Sequence, residues 1–119
     1  MIFTGYLELV ALKKRFTNQL WQKKTIHFRN LEKMLESKIQ ANIIKHFTKH
    51  GWVVLKIIKC NMNGISDLIL FKDGKTLFIE VKSDTGKPSP IQLFRQRQLR
   101  QQGFTYEIIN SLEQCLNLI

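Results

Sequence analysis

Two acidic residues and one lysine are spaced so that they could share a site: Asp67, Glu80 and Lys82. Between them, Asp73-Gly74 separates two apolar runs, which is the strongest short-range signal for a β-hairpin. If Asp73 and Gly74 form the turn, Asp67 lies directly opposite Glu80, with Cβ atoms roughly 5 Å apart. Side chains alternate along a strand, so Lys82 falls on the same face as Glu80 and beside it. The spacing therefore predicts two carboxylates and an ammonium group converging at one end of the hairpin.

The residues around this cluster indicate what it could do. Both faces of the predicted hairpin are apolar, which favours a sheet covered on both sides. The Asp67 face carries Ile65, Ile69, Phe71 and Phe78, and the other face carries Leu68, Leu70, Leu77, Ile79 and Val81. An acid in a covered sheet needs a cation or a raised pKa, because an unpaired buried charge is too costly. We therefore expect a hard divalent metal, with Mg²⁺ as the usual occupant of such carboxylate sites. The alternative is a solvated face on which Lys82 merely neutralises one acid.

The same residues carry a resemblance to a known family. Asp67 followed by Glu80-Val81-Lys82 resembles the D…ExK signature of the PD-(D/E)XK nucleases, and the surrounding sequence is similar to their virus-type replication-repair (VRR-NUC) branch. The likeness covers roughly residues 34–119. Its features are Gly64-x-Ser66-Asp67, the Asp73-Gly74 turn, Glu80-Val81-Lys82 and Ser89-x-x-Gln92. Ser66 departs from the pattern, because the family usually has Pro at that position.

The resemblance implies a Mg²⁺-dependent DNA endonuclease in which Mn²⁺ can replace Mg²⁺. Asp67, Glu80 and the backbone carbonyl of Val81 would hold the metal, and Lys82 would orient a water and offset developing negative charge. Standalone members of the branch are homodimers that cut branched DNA such as four-way junctions. The resemblance therefore also implies a homodimer acting on branched DNA.

Two further residues have both a functional and a structural interpretation. Glu36 matches the glutamate that the first helix of the family contributes to the metal site, but an exposed helix acid is equally common. Gln92 matches an active-site glutamine of the family. It also completes a capping box with Ser89 at the start of a helix, and that structural role is sufficient by itself.

Periodicity predicts the remaining elements. Leu35, Ile39, Ile43 and Phe47 recur every four residues in a helix from Glu32 to His50, which Gly51 ends. A strand over residues 52–60 precedes the hairpin. A helix from Ser89 to Gly103, a strand over 104–109 and a short helix capped by Ser111 follow it.

This order predicts an α/β domain with a mixed four-stranded sheet flanked by helices. The first three strands can form an antiparallel meander, and a right-handed crossover can place the last strand parallel to its neighbour. The resemblance implies the same arrangement, the αβββαβ core of the restriction-endonuclease-like fold, and the strand order is taken from it. Residues 34–119 are assigned to this nuclease-like domain. Residues 1–33 are assigned to a helical N-terminal extension without a stated role.

Composition indicates the kind of partner. Nineteen Lys and Arg against nine acids give a net charge of +10, which predicts an anionic partner, with nucleic acid the first candidate. The apolar runs are too short to span a bilayer, so no membrane association is expected. Cys60 and Cys115 lack the spacing of a disulfide framework or a zinc site, so we expect a reducing, cytoplasmic compartment.

The helix from Ser89 offers a candidate DNA contact. Arg97 and Arg100 are neighbours on its surface and are predicted to bind backbone phosphates, although arginines on a solvated helix usually serve solubility. Two other functions remain as alternatives. They are a nucleic-acid-binding module with a degenerate nuclease site and a structural subunit of a larger complex.

Overall fold

The computed structural model describes residues 18–119, with side chains described from residue 22 onward. Part of the predicted N-terminal extension, residues 1–17, lies outside the described residues. The elements are α1 (Asn18–Lys49), β1 (Val53–Lys56), β2 (Leu68–Lys72), β3 (Lys75–Val81), α2 (Pro90–Gln101), β4 (Thr105–Ile109) and α3 (Leu112–Leu116). Their order is the predicted one.

Helix α1 is longer than its apolar stripe predicted. It begins at Asn18 rather than Glu32, because no Gly or Pro occurs between Asn18 and Gly51, whose φ of 87° accompanies the helix end. The boundary assigned at residue 33 falls inside this continuous helix. Ile43 and Phe47 are fully buried, whereas Leu35 is half exposed. Among the described side chains of α1, those that pack into the core therefore come from its second half.

The sheet has the order β1-β2-β3-β4, with the first three strands antiparallel and β4 parallel to β3. Asp73 and Gly74 have φ values of 50° and 77°, as a two-residue hairpin turn requires. The predicted register is confirmed: Lys72 pairs with Lys75, and Ile69 pairs with Phe78. Strand β1 is shorter than the expected 52–60 and lies at the edge of the sheet.

The two faces of the sheet are covered unequally. The face with Leu68, Leu70, Leu77, Ile79 and Val81 is buried in one core with α1 and Cys115 of α3. On the other face, α2 packs chiefly against β4. Val53 and Leu55 of β1 remain 61% and 47% exposed there. The prediction of a sheet covered on both sides is therefore correct for one face and incomplete for the other, where α2 packs chiefly against β4 and leaves β1 exposed.

No helix among residues 18–119 is long and apolar enough to cross a bilayer.

Candidate active site

Asp67 and Glu80 lie next to each other at one end of the hairpin. Asp67 comes directly before β2, and Glu80 is the penultimate residue of β3. The Val81 N–H donates a 2.9 Å hydrogen bond to Asp67 Oδ2, which fixes the carboxylate of Asp67 against the end of β3. Glu80 is only 2% exposed, whereas Asp67 is partly open to solvent. The hairpin register thus brings the predicted pair of acids together.

Glu80 occupies an unusual electrostatic environment. Its Oε2 lies 3.3 Å from Lys82 Nζ, in an ion pair whose lysine is 19% exposed. Burial raises the pKa of Glu80 and the charge of Asp67 raises it further, while Lys82 acts in the opposite direction. Among the side-chain polar atoms that the structure describes, Glu80 Oε1 is the buried one without a hydrogen-bond partner. Buried side-chain oxygens normally have a hydrogen-bond partner, and a bound cation would supply the partner that this oxygen lacks.

The donor atoms at this site fit a hard divalent cation. Mg²⁺ binds oxygen ligands and is held by one or two carboxylates, with waters and substrate phosphates completing its shell. Asp67 and Glu80 supply the carboxylates, and Oε1 of Glu80 would gain the partner that it lacks. Within residues 18–119, no three His, Cys, Asp or Glu side chains come close enough to form a metal cluster. The fit therefore depends on two carboxylates plus backbone and solvent oxygens, and the Val81 carbonyl remains a predicted ligand.

Glu36 reaches the edge of this site from α1. Its Oε1 accepts a 3.2 Å hydrogen bond from the Ser83 N–H, in the loop that follows β3. Burial raises the pKa of Glu36 and the Asp67 charge adds to this, whereas the Ser83 hydrogen bond and Lys82 lower it. A Cβ on Gly86 would lie 3.0 Å from the same Oε1, so a larger residue at position 86 would press on this carboxylate. Glu36 thus anchors the loop after Lys82, and its role as a metal ligand stays a prediction.

A second acid of α1 holds the same loop one helical turn earlier. Glu32 Oε1 accepts a 2.7 Å hydrogen bond from the Thr85 hydroxyl. The sequence pattern gave no reason to pair residues so far apart. Together, Glu32 and Glu36 fix the chain between β3 and α2.

Gln92 forms the predicted capping box. Its side-chain oxygen accepts from the Ser89 N–H at 2.9 Å, and its own N–H donates to Ser89 Oγ at 3.3 Å. The structural role of Gln92 is therefore confirmed, and its catalytic role stays a prediction. On the same helix, Arg97 is exposed, and Arg100 forms a 2.8 Å ion pair with Glu107 of β4. Neither observation tests whether these arginines bind DNA.

Sequence reasoning missed the residues that hold the loop leading to Asp67. Tyr106 of β4 is fully buried and its hydroxyl donates to the Gly64 carbonyl at 3.0 Å. Burial raises the pKa of Tyr106, and the charges of Glu80 and Asp67 raise it further, so the hydroxyl remains a donor. Arg95 Nε donates to the Asn63 carbonyl at 2.8 Å. Strand alternation could have placed Tyr106 beside Phe78, but no pattern indicated its partner.

Comparisons with known proteins agree on one family. The sequence model of the VRR-NUC domain matches residues 9–113. The curated protein "Putative nuclease p44" of Acyrthosiphon pisum secondary endosymbiont phage 1 is 27% identical over 77 residues, which span 64% of this chain and 83% of p44. A solved structure described as a VRR_NUC domain superposes with a TM-score of 0.63 at 28% identity, over 71% of this chain and 92% of that structure.

Proposed function

Because this chain belongs to the VRR-NUC domain family, we propose that it is a Mg²⁺-dependent nuclease that hydrolyses phosphodiester bonds in DNA. The observation that carries the proposal is the buried Glu80 carboxylate, with one oxygen 3.3 Å from Lys82 and the other without a partner, beside Asp67. A structural ion pair would have no need of the second acid. A metal site would use both acids, and Lys82 would be available beside them to interact with a substrate phosphate.

Each residue of this group has a distinct task. Asp67, Glu80 and the Val81 carbonyl would hold the ion, and the Val81 N–H keeps the Asp67 carboxylate in place. These ligands would allow a bound Mg²⁺ to polarise the phosphate and to make an adjacent water more acidic. Lys82 lies at the mouth of the site, where its ammonium group can orient the attacking water and offset charge that develops on the phosphate oxygens. The Lys82 N–H donates to the Ile109 carbonyl at 2.8 Å, so β4 fixes the backbone from which this side chain extends.

Branched DNA is the substrate that we propose, and a homodimer is the form that cuts it. The net charge of +10 supports a polyanionic substrate. One chain carries one site, so two copies related by a two-fold axis are needed to nick two strands symmetrically.

The test is a cleavage assay on junction, flap and linear DNA with Mg²⁺, with Mn²⁺ or with a chelator. We expect cleavage only with a divalent ion, fastest on the branched substrates. Asp67→Asn and Glu80→Gln should abolish cleavage while DNA binding persists. Cleavage at an unchanged rate by either variant would end the metal-site assignment, and binding without cleavage by the wild type would indicate a degenerate nuclease site. Light scattering of the free protein and of the complex tests the homodimer.

A further inference from the structure

The loop between β1 and β2, residues 57–66, is fixed at both ends. At its start, the Ile57 N–H donates to the Asp67 carbonyl at 2.8 Å, which extends the β1–β2 pairing by one position. At its far end, Arg95 holds the Asn63 carbonyl and Tyr106 holds the Gly64 carbonyl. The residues between these anchors form the tip of the loop, and the tip is therefore presented from a rigid base beside Asp67.

The tip exposes an apolar side chain almost completely. Ile58 is 89% exposed, the largest exposed fraction among the large hydrophobic side chains that the structure describes. Single exposed apolar residues are common on proteins and need no function by themselves. Ile58 differs because of its position. It follows Ile57, whose N–H donates to the Asp67 carbonyl, and it borders an open cavity of about 320 Å³ that extends to Asp67.

The charges around Ile58 indicate what would cover it. Lys56 and Lys59 flank it, both are exposed, and no acidic residue occurs from residue 51 to residue 66. An apolar side chain between two lysines complements a nucleic acid, in which the stacking faces of the bases are apolar and the flanking phosphates are negative. A second copy of this chain fits less well, because a two-fold contact centred on Ile58 would bring four lysines together in a protein of net charge +10.

We propose that Ile58 is a specificity-determining wedge that inserts between bases at the branch point of the DNA, with Lys56 and Lys59 binding the phosphates on either side. This inference rests on the proposed nuclease function. Inserted apolar side chains must separate stacked bases, which costs more free energy in a continuous duplex than at a point where stacking is already broken. A wedge next to Asp67 therefore favours branched over linear DNA and holds the branch near the cleaved phosphate.

The experiment measures base stacking without cleavage. Wild type, Ile58→Ala and Ile58→Leu are titrated, with Ca²⁺ or a chelator, into a four-way junction that carries 2-aminopurine at the branch. Wild type should raise the 2-aminopurine fluorescence on binding, Ile58→Leu should keep this rise, and Ile58→Ala should lose it. The preference of Ile58→Ala for the junction over a linear duplex should fall by about tenfold, the scale of one lost base contact. Ile26→Ala, which removes a 58% exposed isoleucine from α1, is the matched control and should behave as wild type.

The other outcomes overturn the wedge in distinguishable ways. If wild type prefers the junction and Ile58→Ala does so equally, the wedge is wrong while the nuclease function stands. If Ile58→Ala lowers the molecular mass in light scattering from dimer to monomer, Ile58 belongs to a self-association surface instead. If wild type binds and cuts no DNA at all, the proposed function fails and the wedge fails with it.

Discussion

Gly64→Ala tests whether the loop before Asp67 is held by close packing on α2. Gly64 has a φ of 82°, which a residue with a Cβ rarely adopts. A Cβ at this position would also lie 2.6 Å from the Ile91 carbonyl oxygen and 2.8 Å from Arg95 Cγ. The first contact is with helix backbone, so it cannot be relieved by a side-chain rotation. The substitution should therefore carry two separate costs.

The size of each cost can be estimated separately. The left-handed backbone costs a residue with a Cβ about 1–2 kcal/mol. Crowding a well-packed position adds about 1–3 kcal/mol. Gly74 and Gly103 provide matched controls, because their φ values are 77° and 91° and a Cβ on either would meet nothing within 4 Å. Gly74→Ala and Gly103→Ala should therefore lower the free energy of unfolding by about 1–2 kcal/mol, and Gly64→Ala by about 2–5 kcal/mol.

Urea denaturation of the four proteins, followed by circular dichroism, measures these differences. Cleavage is assayed in parallel under conditions in which all variants are folded. We expect Gly64→Ala alone to slow cleavage, because the loop that carries Asp67 must shift away from α2. A destabilisation equal to that of Gly103→Ala, with unchanged cleavage, would refute the close approach between this loop and the helix.

Three further predictions test other parts of the structure. Lys82→Ala should slow cleavage about 100-fold or more while calorimetry still detects metal binding, because an ammonium group stabilises charge but is not a metal ligand. The control variant Lys75→Ala, at the other end of β3, should cleave normally. Replacing Arg97 and Arg100 by Ala should make the logarithmic salt dependence of DNA affinity shallower by about one unit per lost phosphate contact, and identical slopes would assign both residues to solubility. Burial raises the pKa of the Cys115 thiol to about 11, whereas the thiol of the unfolded chain has a pKa of about 8.5. The folded state therefore holds this proton more tightly than the unfolded chain does. The contribution of Cys115 to the free energy of unfolding is therefore fully present below about pH 8.5 and should fall by about 1–3 kcal/mol as pH rises to about 11. Urea denaturation should show that the free energy of unfolding of Cys115→Ala lacks this part of the decline.

The parts of the fold that could be predicted from sequence have local causes. The Asp73-Gly74 turn requires positive φ at both residues, and this one feature sets the register that places Asp67 beside Glu80. The capping box of α2 likewise involves Ser89 and a residue three positions later. Such signals lie within a few residues of one another, so a single sequence is enough to read them.

The parts that could not be predicted depend on contacts between distant residues. Tyr106 and Gly64 are far apart in the chain, and the hydrogen bond between them exists only once β4 lies beside β3. The bonds of Glu32 and Glu36 to the loop after β3 depend in the same way on where α1 crosses the sheet. Periodicity identifies which side of an element is apolar but does not specify which polar groups meet across the fold.

The length of α1 could not be predicted from the spacing of its apolar residues. An apolar stripe indicates where a helix is buried, and the stripe begins near Leu35, which is already half exposed. The residues before it still form helix, because neither Gly nor Pro interrupts them and strong helix formers such as Gln, Leu, Lys, Arg and Glu recur among them. The absence of Gly and Pro was the sequence signal for the longer helix, whereas the spacing of apolar residues contained no such signal.

The parallel pairing of β4 with β3 also has a consequence for the order of folding. The β2–β3 hairpin closes over a two-residue turn, whereas pairing of β4 with β3 must close the longer segment that contains α2. Pairing over a longer chain segment is slower, because more loop-closure entropy is lost before any contact forms. During synthesis, the hairpin with both carboxylates leaves the ribosome before Arg95 and Tyr106, the two residues that hold the loop in front of Asp67. A nascent chain therefore has both carboxylates before Tyr106 can hold the loop beside them, so the site becomes ordered only once β4 lies beside β3.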